Sequence, residues 1–247
     1  MTRSDNWLKL CVLLAVCLVL GGCSTLSALD DPNKHKSPDP FENVNRSIFA
    51  FNSAADKKVL RPVAKTYSNV VPRRARIGVK NFFSNLREPL NLVNNLLQGK
   101  GNSALTSGYR FVVNSTIGVL GFIDIAKLQK IEVRREDFGQ TLASWGVKPG
   151  PYIQIPLLGP SNLRDGLGSL ASNAVYFPNR IVTDDRAGRV GLSILNGISQ
   201  RSMFLTGDQA LQEQIDPYLF TKTVFEDIRI KAIYDGSPPG VDDIDDF

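Results

Sequence analysis

The feature that most constrains how this chain folds is a run of eleven apolar residues near its N-terminus, Leu10 to Leu20. Arg3 and Lys9 precede the run, and Gly21-Gly22 follows it. This length fits the apolar core of a secretory signal peptide, whereas a membrane-spanning helix needs about 20 residues. The sequence therefore predicts that residues 1–22 direct export and are removed, which leaves 225 of the 247 residues in the mature chain.

Cys23 follows the two glycines directly, and this order resembles the lipobox of bacterial lipoproteins. The resemblance implies that Cys23 is lipidated, and several acyl chains anchor a protein stably where one binds only reversibly. Ser24, rather than Asp, follows the cysteine, which in that class of protein implies transfer to the outer membrane. Cys11 and Cys17 lie in the removed segment, so the mature chain has no internal disulfide. The alternative is an ordinary secretory signal with an incidental cysteine.

The charge of the mature chain suggests an anionic partner. It carries 27 basic and 23 acidic residues, and four of the acidic residues lie in the tail at 242–246. A basic body suits lipid headgroups, nucleic acid or an acidic protein. Export argues against nucleic acid, so we expect none to be bound.

The spacing of proline, glycine and apolar residues predicts a mainly α fold of many short amphipathic helices, with Gly/Pro-rich loops and little β structure. Residues 23–38 are interpreted as the lipidated cysteine and a flexible tether, 39–235 as one helical domain and 236–247 as an acidic disordered tail. Residues 152–157 are the one predicted strand, and Ser161 is predicted to cap a helix that runs to about Asn173. The glycine-rich stretch 118–122 is either a tight turn between packed helices or a close approach of the backbone to a ligand or another helix.

The first predicted helix runs to about Asp56, with Asp39 as its cap and Pro40 at its first position. Apolar residues share an arc of about 80° on this helix. Asn45 and Asn52, seven residues apart, line one edge of that arc. The apolar residues are Phe41, Val44, Ile48, Phe51, Ala55 and Val59.

A second helix, predicted over residues 72–86, combines an apolar and a basic arc, and Glu88-Pro89 is predicted to interrupt it before a separate helix at 90–98. The apolar arc contains Ala75, Val79, Phe82, Phe83 and Leu86, and the basic arc contains Arg73, Arg76, Lys80 and Arg87. Aromatic and basic arcs side by side are typical of a helix in a membrane interface. The alternative is a surface helix with its apolar side in the core and its basic side in water.

Groups suited to catalysis are scarce. The single histidine, His35, lies in the tether, where it cannot be held against a nucleophile. The sequence has no Cys/His cluster for zinc and no phosphate-binding loop motif. We therefore expect neither an enzyme nor a cofactor or metal site.

Short motifs that follow one another from about residue 39 to residue 234 resemble the MlaA (VacJ) lipoprotein family. They are Asp39-Pro40-Phe41-Glu42, Asn45-Arg46, Phe51-Asn52, Arg61-Pro62-Val63-Ala64, Asn81-Phe82-Phe83-Ser84-Asn85-Leu86-Arg87-Glu88-Pro89, Leu97-Gln98-Gly99, Asn114-Ser115-Thr116-Ile117-Gly118, Gly121-Phe122-Ile123-Asp124, Asp137-Phe138-Gly139-Gln140-Thr141-Leu142, Trp145-Gly146, Gly150-Pro151-Tyr152, Gly159-Pro160-Ser161, Arg164-Asp165 and Asp216-Pro217-Tyr218. Each motif is weak by itself, but so many in one order behind a lipobox are highly specific.

The resemblance implies a ring-like helical body in the inner leaflet of the outer membrane, with an amphipathic channel. It implies removal of mislocalised phospholipid from the outer leaflet, with a trimeric porin and a soluble periplasmic lipid carrier as partners. On this basis Asn45, Phe49, Phe51 and Asn52 are candidate channel or gate residues. Arg73, Arg76, Lys80 and Arg87 are candidate membrane-interface or headgroup residues. The alternatives are a structural lipoprotein that scaffolds porins and a lipid hydrolase, and the tethered histidine argues against the hydrolase.

Overall fold

A computed structural model describes residues 36–175 and 182–239, so the predicted signal peptide, Cys23, most of the tether and the acidic end of the tail lie outside the described residues. The mainly α fold is confirmed. The helices are α1 (Glu42–Ala55), α2 (Arg61–Val70), α3 (Arg73–Leu97), α4 (Gly101–Thr116), α5 (Ile125–Leu128), α6 (Phe138–Ser144), α7 (Leu163–Val175), α8 (Arg186–Met203), α9 (Asp208–Gln212) and α10 (Pro217–Ile233). The strands are β1 (Tyr152–Ile155) and β2 (Gly159–Asn162).

The N-terminal helix is longer than predicted and begins differently. A π-helical turn, Asp56–Leu60, joins α1 to α2 without a break. The predicted cap at Asp39 is wrong, because α1 begins at Glu42 after Phe41 and has no side-chain cap. The Asp39 carboxylate instead accepts hydrogen bonds from Asn45 and from the Tyr218 hydroxyl. Packed structure starts slightly earlier, since the Ser37 amide donates to Glu226 Oε1 at 3.1 Å.

The predicted break at Pro89 is also wrong, because α3 continues through this proline to Leu97. A proline inside a helix costs about 3 kcal/mol, since it removes one hydrogen bond and crowds the preceding turn. Helix α3 packs extensively against α4, and buried side chains on both sides of Pro89 bond to other elements: Glu88 accepts from Arg110, and Asn91 accepts from the Glu136 amide. Tertiary packing therefore outweighs the local penalty.

The α4–α5 connection satisfies both predicted roles of the 118–122 stretch. It is a tight turn in which Val119 and Leu120 have positive φ values of 52° and 56°. It is also a close approach, because a Cβ atom on Gly121 (φ +92°) would lie 2.5 Å from the Cβ of Asn85 in α3. Only glycine combines that backbone angle with that proximity.

The two strands form an antiparallel hairpin with Tyr152 opposite Asn162 and Ile155 opposite Gly159. The first strand confirms the prediction at 152–157, whereas β2 was not predicted. Because Ser161 lies within β2, it does not cap α7 as predicted. The side chain of the next residue, Asn162, accepts a hydrogen bond from the Asp165 amide at 2.9 Å and holds that helix start.

The packing contacts close into a circuit. The α1–α2 helix packs on α8, α8 on α3, α3 on α6, and α6 on α10. The circuit is completed where α10 packs on β2, β2 pairs with β1, and β1 packs on α1. This closed order of contacts agrees with the ring-like bundle expected from the sequence.

The interior of this circuit is polar and much of its exterior is apolar, which reverses the usual distribution. In the α3–α4 hairpin Glu88 is 0% and Arg110 1% exposed, whereas Leu105 on the outside of α4 is 74% exposed. The apolar arc of α1 is likewise largely exposed, while Asn45 at its edge is buried. None of the helices in the described part of the chain combines the length and apolarity that a membrane span requires.

Candidate functional site

Two cavities lie inside the circuit, and every element of the circuit contributes to the wall of at least one of them. Cavity one has a volume of about 410 Å³ and cavity two about 750 Å³. Phe204, at the end of α8, lines both cavities and is 69% exposed. The phenyl ring therefore stands where the two spaces meet.

Cavity one lies between α3, α6, α8 and α10. Its charged lining residues are Lys80, Arg87, Arg135, Glu136 and Asp137. Its neutral lining residues are Phe83, Ser84, Asn91, Gln140, Asn196, Ser199, Gln200, Met203, Phe204 and Ala232. Charged groups and apolar groups share one wall, so the cavity is amphipathic.

The two carboxylates of cavity one are bonded to cations behind the wall. Glu136 accepts from Lys100 Nζ at 2.9 Å and from Gln140 Nε2 at 2.6 Å, and its burial raises the pKa of this carboxyl. Asp137 lies 2.6 Å from Arg229 Nη1. Burial opposes ionisation of Asp137, but the guanidinium outweighs it and holds the pKa of Asp137 below its usual range.

The three cations of cavity one are not bonded in this way. The side chains of Lys80, Arg87 and Arg135 make no hydrogen bond or ion pair with any residue that the structure describes. Lys80 and Arg87 are seven residues apart on α3, which places them on the same side of the helix. The cavity wall therefore carries cations that are not bonded to any described carboxylate, and Arg87 is close enough to Asp137 to contribute to the lowered pKa of that carboxyl.

The structure divides the predicted basic arc into two parts. Lys80 and Arg87 line cavity one, whereas Arg73 and Arg76 do not. Arg76 Nη1 donates to Ser68 Oγ at 3.2 Å, so it links α3 to α2, and Arg73 is exposed at the start of α3. A role at the membrane interface stays a prediction for this second pair.

A network of buried polar side chains lies between α3 and α4 and reaches the wall of cavity one at Asn91 and Glu136. Arg110 Nε lies 2.8 Å from Glu88 Oε1, and Arg110 Nη2 lies 2.8 Å from Asp124 Oδ2. Asn91 donates to Glu88 at 3.0 Å and accepts from the Glu136 amide at 3.3 Å. Burial raises the pKa of Glu88 despite its bond to Arg110. The network joins α3, α4 and the segment before α6, and so it positions the cavity wall.

Cavity two is bounded by an ion-pair cluster that joins the π-helical turn to α8 and α9. Arg201 bonds both oxygens of Asp56, at 2.6 and 2.8 Å, and reaches Asp208 at 2.7 Å. Arg61 Nε lies 2.8 Å from the other oxygen of Asp208. These two cations and two carboxylates neutralise one another's charge, so they stabilise the wall rather than offer a binding group.

The predicted gate residues of α1 take different places. Asn45 donates to the Tyr152 carbonyl at 3.0 Å and accepts from the Gln154 amide at 2.8 Å. Asn52 donates to the Ile155 carbonyl at 3.0 Å, so both amides bind α1 to the β1 backbone. Phe49 and Asn52 line cavity two, whereas Asn45 and Phe51 line neither cavity. A gating role for these four residues stays a prediction.

Sequence reasoning missed Arg135, Arg110 and Arg229, which organise cavity one. Adjacent carboxylates such as Glu136-Asp137 are usually solvated, but here each bonds to its own partly buried cation, Lys100 or Arg229. The sequence offered one signal for these residues, which is that Arg134-Arg135 directly precedes Glu136-Asp137. Two cations next to two carboxylates can belong to one binding site.

Comparison with known proteins identifies the family. The profile of the MlaA lipoprotein family matches residues 37–231. The chain belongs to the MlaA lipoprotein family. The intermembrane phospholipid transport system lipoprotein MlaA of Shigella flexneri is 37% identical over 88% of this chain and 86% of its own length. The protein of that name from Escherichia coli K12 is 36% identical over the same shares.

A solved structure of an MlaA-like chain supports the fold. It is described as the structural basis for maintenance of bacterial outer membrane lipid asymmetry. That structure is 34% identical to this chain and superposes on it with a TM-score of 0.70. The match covers 79% of this chain and 98% of the solved chain. MlaA proteins form a family of transport lipoproteins. Among the residues described here, no group of His, Cys, Asp and Glu side chains could hold a metal ion.

Proposed function

We propose that this chain removes mislocalised phospholipid from the outer leaflet of the outer membrane and passes it to a soluble periplasmic carrier. It would thereby maintain the lipid asymmetry of that membrane. Membership of the MlaA family and the names of the Shigella and Escherichia relatives support the proposal. A trimeric porin is the proposed membrane partner, and Cys23 is the proposed lipid anchor at the periplasmic leaflet.

One observation carries the proposal: an amphipathic cavity system with charged groups in its wall lies among helices whose outer surfaces are largely apolar. A phospholipid crossing a bilayer needs polar groups for its head, because a buried unpaired charge costs several kcal/mol. Its acyl chains need only an apolar surface. The polar interior suits the head, and exposed leucines such as Leu105 (74%) and Leu128 (75%) suit contact with lipid chains.

The path that we propose runs through both cavities and past Phe204. The Phe204 ring between the two cavities carries no charge, so a lipid that passes it displaces no bound water from a charged group. Movement along this path needs no covalent chemistry and no cofactor. Transport along the path is favourable if phospholipid has a higher free energy in the leaflet from which it is removed than on the carrier.

The test is complementation of a strain that lacks the gene. Phospholipid in the outer leaflet is measured by labelling intact cells with a membrane-impermeant amine reagent. Wild type should restore low labelling. Gln200→Trp, which places an indole in cavity one, should not restore it at equal protein level. Ile194→Trp is the matched control, because Ile194 is exposed on the same helix and lines neither cavity.

The alternative of a porin scaffold predicts a different result. A scaffold would tolerate a filled cavity, so Gln200→Trp would restore low labelling as well as wild type does. Porin and carrier are tested by cross-linking in intact cells and identification of the cross-linked proteins by mass spectrometry. A wild-type protein that leaves outer-leaflet labelling unchanged in the deletion strain would refute the transport proposal.

A further inference from the structure

The charge distribution around cavity one bears on which phospholipids the protein handles. Six cations and four carboxylates line the cavity or belong to the chains of ion pairs that begin at its lining. The cations are Lys80, Arg87, Lys100, Arg135, Arg164 and Arg229. The carboxylates are Glu136, Asp137, Asp165 and Asp235. These six cations exceed the four carboxylates by two positive charges.

The cations without a bond to any described carboxylate lie in the cavity lining itself, whereas the cations outside the lining are paired. Lys100 bonds Glu136 and Asp235, and Arg229 bonds Asp137 and Asp165, so these cations are occupied by carboxylates. Arg87, Arg135 and Lys80 have no such partner among the described residues. An anion entering cavity one would therefore meet cations that are free to bind it.

A buried hydroxyl in the same wall also lacks a partner. Ser199 on α8 is 1% exposed, and its Oγ makes no hydrogen bond to any described residue. A buried polar group without a partner is costly, and a ligand oxygen that bonds to it removes the cost. The apolar lining residues Phe83, Met203 and Phe204 lie in the same wall, where they suit the glycerol and acyl part of a lipid.

We infer that cavity one binds the phosphodiester of a phospholipid head and prefers heads of net negative charge, such as phosphoglycerol, over zwitterionic heads, such as phosphoethanolamine. This inference rests on the proposed function. In a phosphoethanolamine head the ammonium group would be repelled by the excess positive charge. The Glu136 and Asp137 carboxylates, which could otherwise receive the ammonium, are already bound to Lys100 and Arg229. A phosphoglycerol head brings the same phosphodiester with hydroxyls and no positive charge.

The experiment is a competition measured by native mass spectrometry. The mature lipidated protein in non-ionic detergent at low salt receives equimolar dihexanoyl-phosphatidylglycerol and dihexanoyl-phosphatidylethanolamine. We expect bound phosphatidylglycerol to exceed phosphatidylethanolamine about tenfold, the ratio for about 1.4 kcal/mol from one repelled charge. The ratio should fall towards one at high salt, because such interactions are screened.

Two double variants test whether the preference for phosphatidylglycerol arises from the cations of cavity one. Arg87→Gln with Arg135→Gln should bring the ratio close to one. Arg74→Gln with Arg134→Gln removes the same charge from the same two segments, but neither residue lines the cavity, so the ratio should stay near tenfold. Ser199→Ala should weaken binding of both lipids severalfold without changing the ratio, because the hydroxyl bonds the shared phosphodiester.

The outcomes separate this inference from the proposed function. If wild type binds both lipids equally, the headgroup preference is refuted and lipid binding stands. If wild type binds neither lipid, the proposed function itself fails. Inorganic phosphate is added in a separate arm. If it displaces the lipid at the concentration at which phosphatidylglycerol binds, the site recognises free phosphate and the assignment to a lipid head is overturned.

Discussion

Replacing Arg110 by Met tests whether the polar interior is a stabilising part of the fold. The guanidinium is 1% exposed and bonds Glu88 and Asp124, each at 2.8 Å, and the Ile131 carbonyl. Methionine replaces the aliphatic part of the arginine side chain but carries no charge, so the variant leaves the fully buried Glu88 carboxylate without its cation. Breaking a buried ion pair from one side costs about 3–5 kcal/mol of unfolding free energy.

The loss should depend on pH in a defined direction. Burial already raises the pKa of Glu88 in the presence of Arg110, and removal of the cation raises it further. A carboxyl whose pKa is higher in the folded than in the unfolded state contributes stability below its unfolded pKa. That contribution is lost as pH rises through the folded pKa. The Arg110→Met deficit should therefore be smaller near pH 5 than near pH 8.

The assay is urea unfolding of the mature protein in detergent, followed by far-UV circular dichroism at both pH values. Arg110→Met with Glu88→Leu is the companion variant, since replacing the pair by apolar groups removes the unpaired charge and should recover part of the loss. Asp124 keeps its bonds to Asn114 and to the Lys127 amide in both variants. An Arg110→Met protein as stable as wild type at pH 8 would show that this network does not stabilise the interior.

Three further predictions concern the anchor, the outer surface and the α4–α5 turn. Cys23→Ala should leave the chain without lipid and unprocessed, and an unmodified residue 23 in the wild-type mass spectrum would contradict the predicted anchor. Phe51→Ala should lower the free energy of unfolding by about 0.5 kcal/mol or less, because Phe51 is 56% exposed, whereas Phe83→Ala should lower it by about 3–5 kcal/mol, because Phe83 is 6% exposed. Equal losses in urea unfolding would contradict the assignment of the apolar arc of α1 to the outer surface. Gly121→Ala should cost about 1–3 kcal/mol, because its Cβ would lie 2.5 Å from that of Asn85 at a φ of +92°; an unchanged midpoint would show that the turn relaxes freely.

Much of the local structure could be predicted because it depends on neighbouring residues. Helix α8 begins where the Asp185 carboxylate accepts from the Gly188 amide, and α10 begins at Pro217, where the Asp216 carboxylate accepts from the Tyr218 and Leu219 amides. Caps and prolines act over three or four residues, so a single sequence contains their effect. Pro89 is the exception, since packing against α4 decides whether the helix continues through it.

Cavity one could be predicted only in part. Lys80 and Arg87 were found because their spacing places them on one side of a helix. Arg135 lies on a separate segment 48 residues beyond Arg87, and no periodicity relates the two. Ser199 is further still along the chain, and one unpartnered hydroxyl leaves no pattern in a sequence. Convergence of distant segments is a property of the tertiary structure.

The sequence by itself determined the predicted export signal, the candidate lipid anchor, the helical class and the residues that share a face of each helix. It did not determine what each face contacts. The apolar arc of α1, for example, fits a protein core as well as it fits an outer surface, because periodicity defines an angle around the helix axis and not the neighbour at that angle. Only the tertiary structure, with Asn45 bonded inward to β1 and Phe51 exposed, decided that the polar edge faces inward. The physical reason is that side-chain direction relative to the core depends on contacts between segments about 100 residues apart, such as those between Asn45 and Tyr152 and between Asn45 and Gln154.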